Sequence, residues 1–233
     1  AQKSIVLLKN TGGFLPLVTA TATALLLDNV NATRKKTMKV KMKNVAFIGP
    51  LANATQVLLS APQYHGTNTL VDTHSPLQVA RRRFASEWNV SYSQGVNICD
   101  VQPAGYPNVP CQYPLLPPLP PQDKSGIAGA VEAARDADCA VLFLGGDQTT
   151  EAESFDRRSL GLVGQQEALL SAVAEVQDNV VVVLINGGPI DISSAKAMPQ
   201  VKAILEAFQP GELGGDAIVD MLSGEDGDGV QIG

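Results

Sequence analysis

The sequence has no apolar run approaching the roughly 20 residues that a bilayer-spanning helix requires. Its longest, Val180-Val-Val-Val-Leu-Ile185, has the length of a buried strand. No membrane partner is expected. Aromatic residues make up only 5% of the chain, and none is interleaved with the cluster of basic residues near the N-terminus. A single-strand nucleic-acid binder needs such rings as stacking platforms, so no nucleic-acid partner is expected either. Histidine occurs twice, as His65 and His74, and the three cysteines form no Cys-x-x-Cys pair, which removes the spacing of a structural zinc site. The start of the chain lacks the charged-then-apolar pattern of a signal peptide.

What is present fits one sizeable α/β domain or two small ones: 233 residues, 45% of them hydrophobic. Charge is strongly divided. Residues 1–122 carry a balance of +7 and residues 123–233 a balance of −13. Six basic side chains lie between Arg34 and Lys43 with no acidic neighbour. Such a block can attract polyanions, but like charges also repel and solvate, and residues 18–43 read as a solvated insertion. Asn-X-Ser/Thr sequons at Asn31, Asn53 and Asn89 tilt the reading toward a secreted, endomembrane or lysosomal protein. Cys99 and Cys111 flank a segment, residues 101–122, that holds 8 of the 15 prolines. It reads as an extended surface loop that a disulfide could close, with Cys139 a free, inert thiol at the start of a strand.

Periodicity places a short amphipathic helix over residues 1–10 and strands at 44–49 and 90–92. Helix 126–136, with Ile127, Ala130, Val131 and Ala134 on one side, precedes strand 139–144. Helix 164–177, strand 180–185, a short helix near 192–197, strand 201–207 and helix 213–223 complete the series. Alternating helices and continuously apolar strands predict a mostly parallel sheet covered on both faces, a three-layer αβα sandwich. A nucleotide-binding domain of Rossmann type has the same alternation. The turns after 44–49 and 139–144 lack its Gly-x-Gly-x-x-Gly, however, and acids after Gly146 would repel a pyrophosphate.

The richest segment is Leu144-Gly-Gly-Asp-Gln-Thr-Thr-Glu-Ala-Glu-Ser-Phe-Asp-Arg157. Two glycines allow a sharp turn out of a buried strand. Asp147, Glu151, Glu153, Asp156 and Arg157 then follow where open α/β sheets bind ligands, beyond the carboxyl ends of strands. The cluster points to acid–base work, cation binding or contact with sugar hydroxyls. Asp147, Glu151 and Glu153 lack the spacing of a known Mg²⁺ or Ca²⁺ loop, so no metal or cofactor is expected. Asp147 is as well suited to ordering the loop as to touching a ligand. Asn186-Gly-Gly-Pro189 reads as a tight turn after a central strand.

Several stretches in order resemble the second domain of family 3 glycoside hydrolases, in particular the β-xylosidase and α-arabinofuranosidase branch. They are Ser4-Ile-Val-Leu-Leu-Lys-Asn10, Phe14-Leu-Pro-Leu17, Asn44-Val-Ala-Phe-Ile-Gly-Pro50, Tyr64-His-Gly66, Ser75-Pro-Leu77 and Ala137-Asp-Cys139. The loop from Gly145 to Arg157 follows, then Gly164-Gln-Gln-Glu-Ala-Leu-Leu170, Val180 to Asp191, and Pro210-Gly-Glu-Leu-Gly-Gly215. The resemblance implies a single domain over 1–233 that acts on a glycoside or oligosaccharide together with a preceding N-terminal (β/α)8-type barrel absent from this chain. The chain would then be an excised domain or an internal fragment, and the missing leader would say nothing.

Retaining glycosidases use one carboxylate as nucleophile and a second as acid/base, about 5–5.5 Å apart. Glu151 and Glu153, two apart on an extended segment, would point the same way with Cβ atoms about 6.5–7 Å apart. Both would approach the sugar from one side, whereas the reaction needs opposite sides. The resemblance implies instead that the nucleophile is an aspartate of the barrel and that this domain lends the acid/base glutamate. Glu153 stands three residues before Asp156-Arg157, as the acid/base does in the glucosidase branch; Glu151 is the alternative within the Glu-x-Glu pattern. Tyr64 and His65 match a loop near the sugar, with a departure at Pro62-Gln63. The implied activity is that of a retaining, exo-acting β-glycosidase domain, inactive alone. A non-catalytic carbohydrate-binding or scaffold domain of the same fold is the rival.

Overall fold

The computed structural model describes residues 1–17, 21–27, 33–39, 42–59, 73–99, 123–147, 150, 157 and 159–224. Among these residues there are eight strands: β1 (Val6–Asn10), β2 (Thr21–Leu27), β3 (Thr33–Lys39), β4 (Asn44–Ile48), β5 (Asn89–Ser93), β6 (Cys139–Gly145), β7 (Val180–Ile185) and β8 (Val201–Glu206). Five α-helices accompany them among the described residues: α1 (Pro76–Arg83), α2 (Ile127–Arg135), α3 (Gln166–Ala174), α4 (Ser193–Ala197) and α5 (Gly214–Ser223). Six strands form one sheet in the order β1-β8-β7-β6-β4-β5. All neighbours in it run parallel except β1, which lies antiparallel on β8.

Successive residues of the central strands serve opposite faces, as the pleat demands. Phe47, Val141, Phe143, Val181, Val183 and Leu205 enter one core with Leu77 and Ala80 of α1 and Ile218 and Leu222 of α5. The alternate residues Ala46, Ile48, Leu142, Leu144, Val182 and Ile204 enter the other, with Ala130 of α2, Leu169 and Val173 of α3 and Ala195 of α4. Every residue of β6 and β7 is buried, which is why these strands read as unbroken apolar runs. The layers are helix, sheet, helix, as the alternation predicts.

Residues 1–10 are the correction. They are not a helix: a 3₁₀ turn at Gln2–Ser4 leads into β1. The contiguous apolar run Ile5 to Leu8 suits either state by periodicity, and pairing with β8 decides it. Helix α1, which the periodicity reading lacks, is announced by its cap. Ser75 Oγ accepts the Gln78 N–H at 3.1 Å, Gln78 Oε1 accepts the Ser75 N–H at 2.9 Å, and Pro76 occupies the first turn. The ion pairs Arg82–Asp216, partly exposed, and Arg83–Asp220, more covered, then join α1 to α5.

Within residues 18–43, β2 and β3 pair antiparallel as a separate two-stranded sheet. Residues 101–122 lie outside the described residues. Cys99 is disulfide-bonded and Cys139 is free and buried, while Cys111 lies outside the description. Burial, aided by Asp138, pushes the Cys139 thiol well above its ordinary pKa and leaves it protonated and unreactive. None of the described helices is long and apolar enough to cross a membrane.

Candidate active site at the carboxyl end of the sheet

Strands β6, β7 and β8 deliver Gly145-Gly146-Asp147, Asn186-Gly-Gly-Pro189 and Ala207-Phe208 to one end of the sheet. Residue 145 has to be glycine. Its φ is +147°, and a Cβ there would collide with the Ile185 carbonyl oxygen. The chain turns out of the sheet at this point, with the Gly146 N–H still donating to Ile185 O at 3.1 Å.

Among the described residues no strand pairs with the other side of Gly145, because the pairing of β4 with β6 ends at Ile48–Leu142. A side chain fills the place. Gln166, fully buried in the first turn of α3, accepts the Gly145 N–H through Oε1 at 2.8 Å. Its Nε2 donates to Gly145 O at 2.8 Å and to Val163 O at 2.9 Å. A single amide thus replaces a rung of the missing ladder.

Beyond Gly146 a tight turn follows. Thr150, itself buried, donates its N–H and hydroxyl to Asp147 O at 3.0 and 2.9 Å, and its Oγ1 accepts the Asp147 N–H at 3.0 Å. The backbone of Asp147 therefore orders the start of the acidic segment. At its far end the Arg157 guanidinium donates to Pro189 O at 2.7 Å. Glu151, Glu153 and Asp156 fall between these two anchors, and like Tyr64 and His65 they lie outside the described residues.

Asn186-Gly-Gly-Pro189 is a bend rather than a hydrogen-bonded turn, closed by Asn186 Nδ2 donating to Gly188 O at 2.8 Å. Asn186 is fully buried, yet its Oδ1 has no partner among the described residues. Next to it, Phe208 accepts the Asn186 N–H on its carbonyl at 3.2 Å, holds φ at +54° and is 45% exposed. The buried Glu206 carboxylate fixes that conformation by accepting the Phe208 N–H at 3.0 Å. A left-handed, exposed aromatic residue beside an unsatisfied amide oxygen is costly for stability alone, and such strain concentrates at functional sites. Further along, the Ser193 hydroxyl and N–H both bond to Asp191 Oδ1 and hold its carboxyl below the usual aspartate range. No group of three or more metal-ligating side chains occurs among the described residues.

Sequence reasoning found Asp147 and the Asn186 segment but missed Gln166, Thr150 and the Glu206–Phe208 pair. Gln166 sits inside a recognised stretch, Gly164 to Leu170, yet a glutamine in a helix's first turn carries no sign of burial.

The sequence profile of the glycosyl hydrolase family 3 C-terminal domain matches residues 5–227. β-D-Xylosidase 3 of Arabidopsis thaliana is 32% identical over 225 residues, covering 96% of this chain and 23% of that protein. The exo-1,4-β-xylosidase of Aspergillus awamori is 30% identical, over 97% of this chain and 23% of its own length. Among solved structures, a family 3 exo-β-xylosidase bound to a xylobiose aziridine activity-based probe aligns with a TM-score of 0.68 and 30% identity, over 96% of this chain and 22% of that one. The Bifidobacterium adolescentis β-glucosidase aligns with a TM-score of 0.67 and 28% identity, over 96% of this chain and 26% of the other. The chain thus spans about a quarter of the length of the curated relatives it matches.

Proposed function

We propose, on the premise that the chain belongs to the family 3 glycosyl hydrolase C-terminal domains, that it supplies the acid/base side of a retaining, exo-acting β-glycosidase of xylosidase type. One observation carries this reading: relatives named β-xylosidases match nearly the whole chain, the acidic segment after β6 included. A barrel domain of the same protein would hold the nucleophile, an aspartate, and most of the sugar pocket.

Glu153 is the proposed acid/base, with Glu151 its alternative. In the first half-reaction the barrel aspartate attacks the anomeric carbon and the glycosidic C–O bond breaks. The protonated Glu153 carboxyl gives its proton to the departing oxygen. In the second, the Glu153 carboxylate takes a proton from water as that water attacks the anomeric carbon, and the aspartate leaves. Tyr64 and His65 are proposed as contacts to the sugar. Exposed Asn53 and Asn89 sequons and the bonded Cys99 support an oxidising, secretory location, which intact-mass analysis before and after enzymatic removal of N-glycans tests.

The catalytic assignment is tested in the full-length enzyme. Glu153→Ala should slow glycosides with poor leaving groups by about 10²–10⁴ and activated aryl glycosides far less in the glycosylation step. Azide should restore turnover and give the glycosyl azide of retained configuration. Rescue of Glu151→Ala alone moves the role two residues upstream. Rescue of neither variant leaves the scaffold reading.

A further inference from the structure

We infer that Gln166 is a positioning residue for the acid/base glutamate, acting through Gly145. The inference rests on the acid/base reading above and adds a residue that this reading does not contain. Three features carry it. Gln166 is fully buried, and its amide makes three hydrogen bonds to backbone groups, two of them to the one residue where β6 leaves the sheet. Among the described residues no strand pairs with Gly145 on that side. β7 holds the other side, where the Gly146 N–H donates to Ile185 O at 3.1 Å, so Gln166 supplies the second half of the grip on this stretch of backbone. The acids begin immediately downstream, and a planar amide gripping both the N–H and the C=O of Gly145 fixes the direction in which that segment departs. A general acid tolerates little misplacement, since an error of about 1 Å costs on the order of 10²-fold in rate.

The molecule contains its own control. Gln177 is a second buried glutamine with the same bonding: Nε2 donates to Ala134 O and Ala137 O, each at 2.8 Å, and Oε1 accepts the Asn179 N–H at 3.0 Å. It lies at the opposite end of the sheet, where β6 and β7 begin. A clamp that serves stability alone should behave alike at both ends.

The experiment is a matched pair, Gln166→Met and Gln177→Met, in the full-length enzyme. It reads thermal stability and the slope of log kcat/KM against leaving-group pKa over a series of aryl glycosides. Gln166→Met should slow the poorest leaving groups about 10- to 100-fold while the most activated change little, which steepens the slope. Gln177→Met should lower stability comparably with the slope unmoved. Gln166→Asn, which keeps the amide but withdraws it by one methylene, should steepen the slope less and serves if the methionine variant does not fold. Equal proportional losses on every substrate, or equal slopes in both variants, overturn the positioning role. If Gln166→Met steepens the slope while Glu153→Ala and Glu151→Ala do not, Gln166 positions an acid other than these two glutamates and the acid assignment fails. If no variant changes the slope, both fall.

Discussion

At the amino end of the parallel sheet, Asp138 Oδ2 accepts the N–H groups of Lys43 and Asn44 at 2.9 Å each, and Asn179 Nδ2 donates to Asp138 O at 3.1 Å. Gln177 ties the end of α2 to the approach to β7. At the carboxyl end, 20 Å or so away on the strand rise of about 3.3 Å per residue, the bonding has another character. There a glycine stands where any Cβ would collide, the exposed Phe208 adopts positive φ, and Asn186 Oδ1 is buried without a partner among the described residues. Both ends terminate the same strands, so the contrast is not imposed by the fold. At the amino end polar side chains brace the strand starts, although Trp88 Nε1 just before β5 is buried without a partner among the described residues. At the carboxyl end the unpartnered amide oxygen lies beside a left-handed, exposed aromatic residue, a combination of strain typical of functional sites.

The sharpest way to break this comparison is a pair of glycine substitutions. Gly145→Ala should destabilise by about 3 kcal/mol or more, from positive-φ strain and overlap with Ile185 O together. Gly129→Ala, inside α2, should stabilise by about 0.5–1 kcal/mol, because a Cβ there meets only Ser93 Oγ at 3.9 Å. Denaturant unfolding reads both, and a shared sign would refute the account of Gly145.

Gln177→Met should cost about 1–3 kcal/mol, since it leaves two carbonyls and an N–H at the amino end without their partner. Asn186→Ala should cost less than about 1 kcal/mol despite complete burial. It removes an acceptor that is already unsatisfied, which offsets the lost bond to Gly188 O. A loss as large as that of Gln177→Met would mean that the two ends do not differ in this way.

The smallest effect concerns pH. The Asp191 carboxyl has a lowered folded-state pKa, so its contribution to stability is present above the unfolded-state value and is lost as pH falls through the folded-state one. Ser193→Ala should move the Asp191 carboxyl resonance toward ordinary aspartate behaviour in an NMR titration. An unchanged midpoint would show that the backbone N–H alone sets it.

Much of the layer architecture was legible because β6 and β7 are apolar on both faces and the helices between them keep a 3.6-residue period. Strand order was not: no residue pattern says that β4 sits between β5 and β6. Residues 1–10 misled because Ile5 to Leu8 is apolar at every position, so the period that separates helix from strand is missing. The acidic segment announced itself by composition, but the role proposed for it rests on resemblance alone. Gln166 and Gln177 were silent for a physical reason. A buried amide is tolerated only when tertiary neighbours satisfy it, and those neighbours, residues 134, 137, 145, 163 and 179, are assembled only in the folded chain.

The antiparallel edge strand sets a timetable for biosynthesis. Val6 of β1 finds its register opposite Glu206 of β8, exactly 200 residues later in the chain. A ribosome adding about 5–20 residues per second needs on the order of 10–40 s to make that interval. Throughout it, the exposed apolar side chains of residues 5–8 have no ladder to join and present an unpaired edge to whatever else is being translated. A nascent chain of this kind has reason to hold a chaperone on the residues around β1 until β8 emerges.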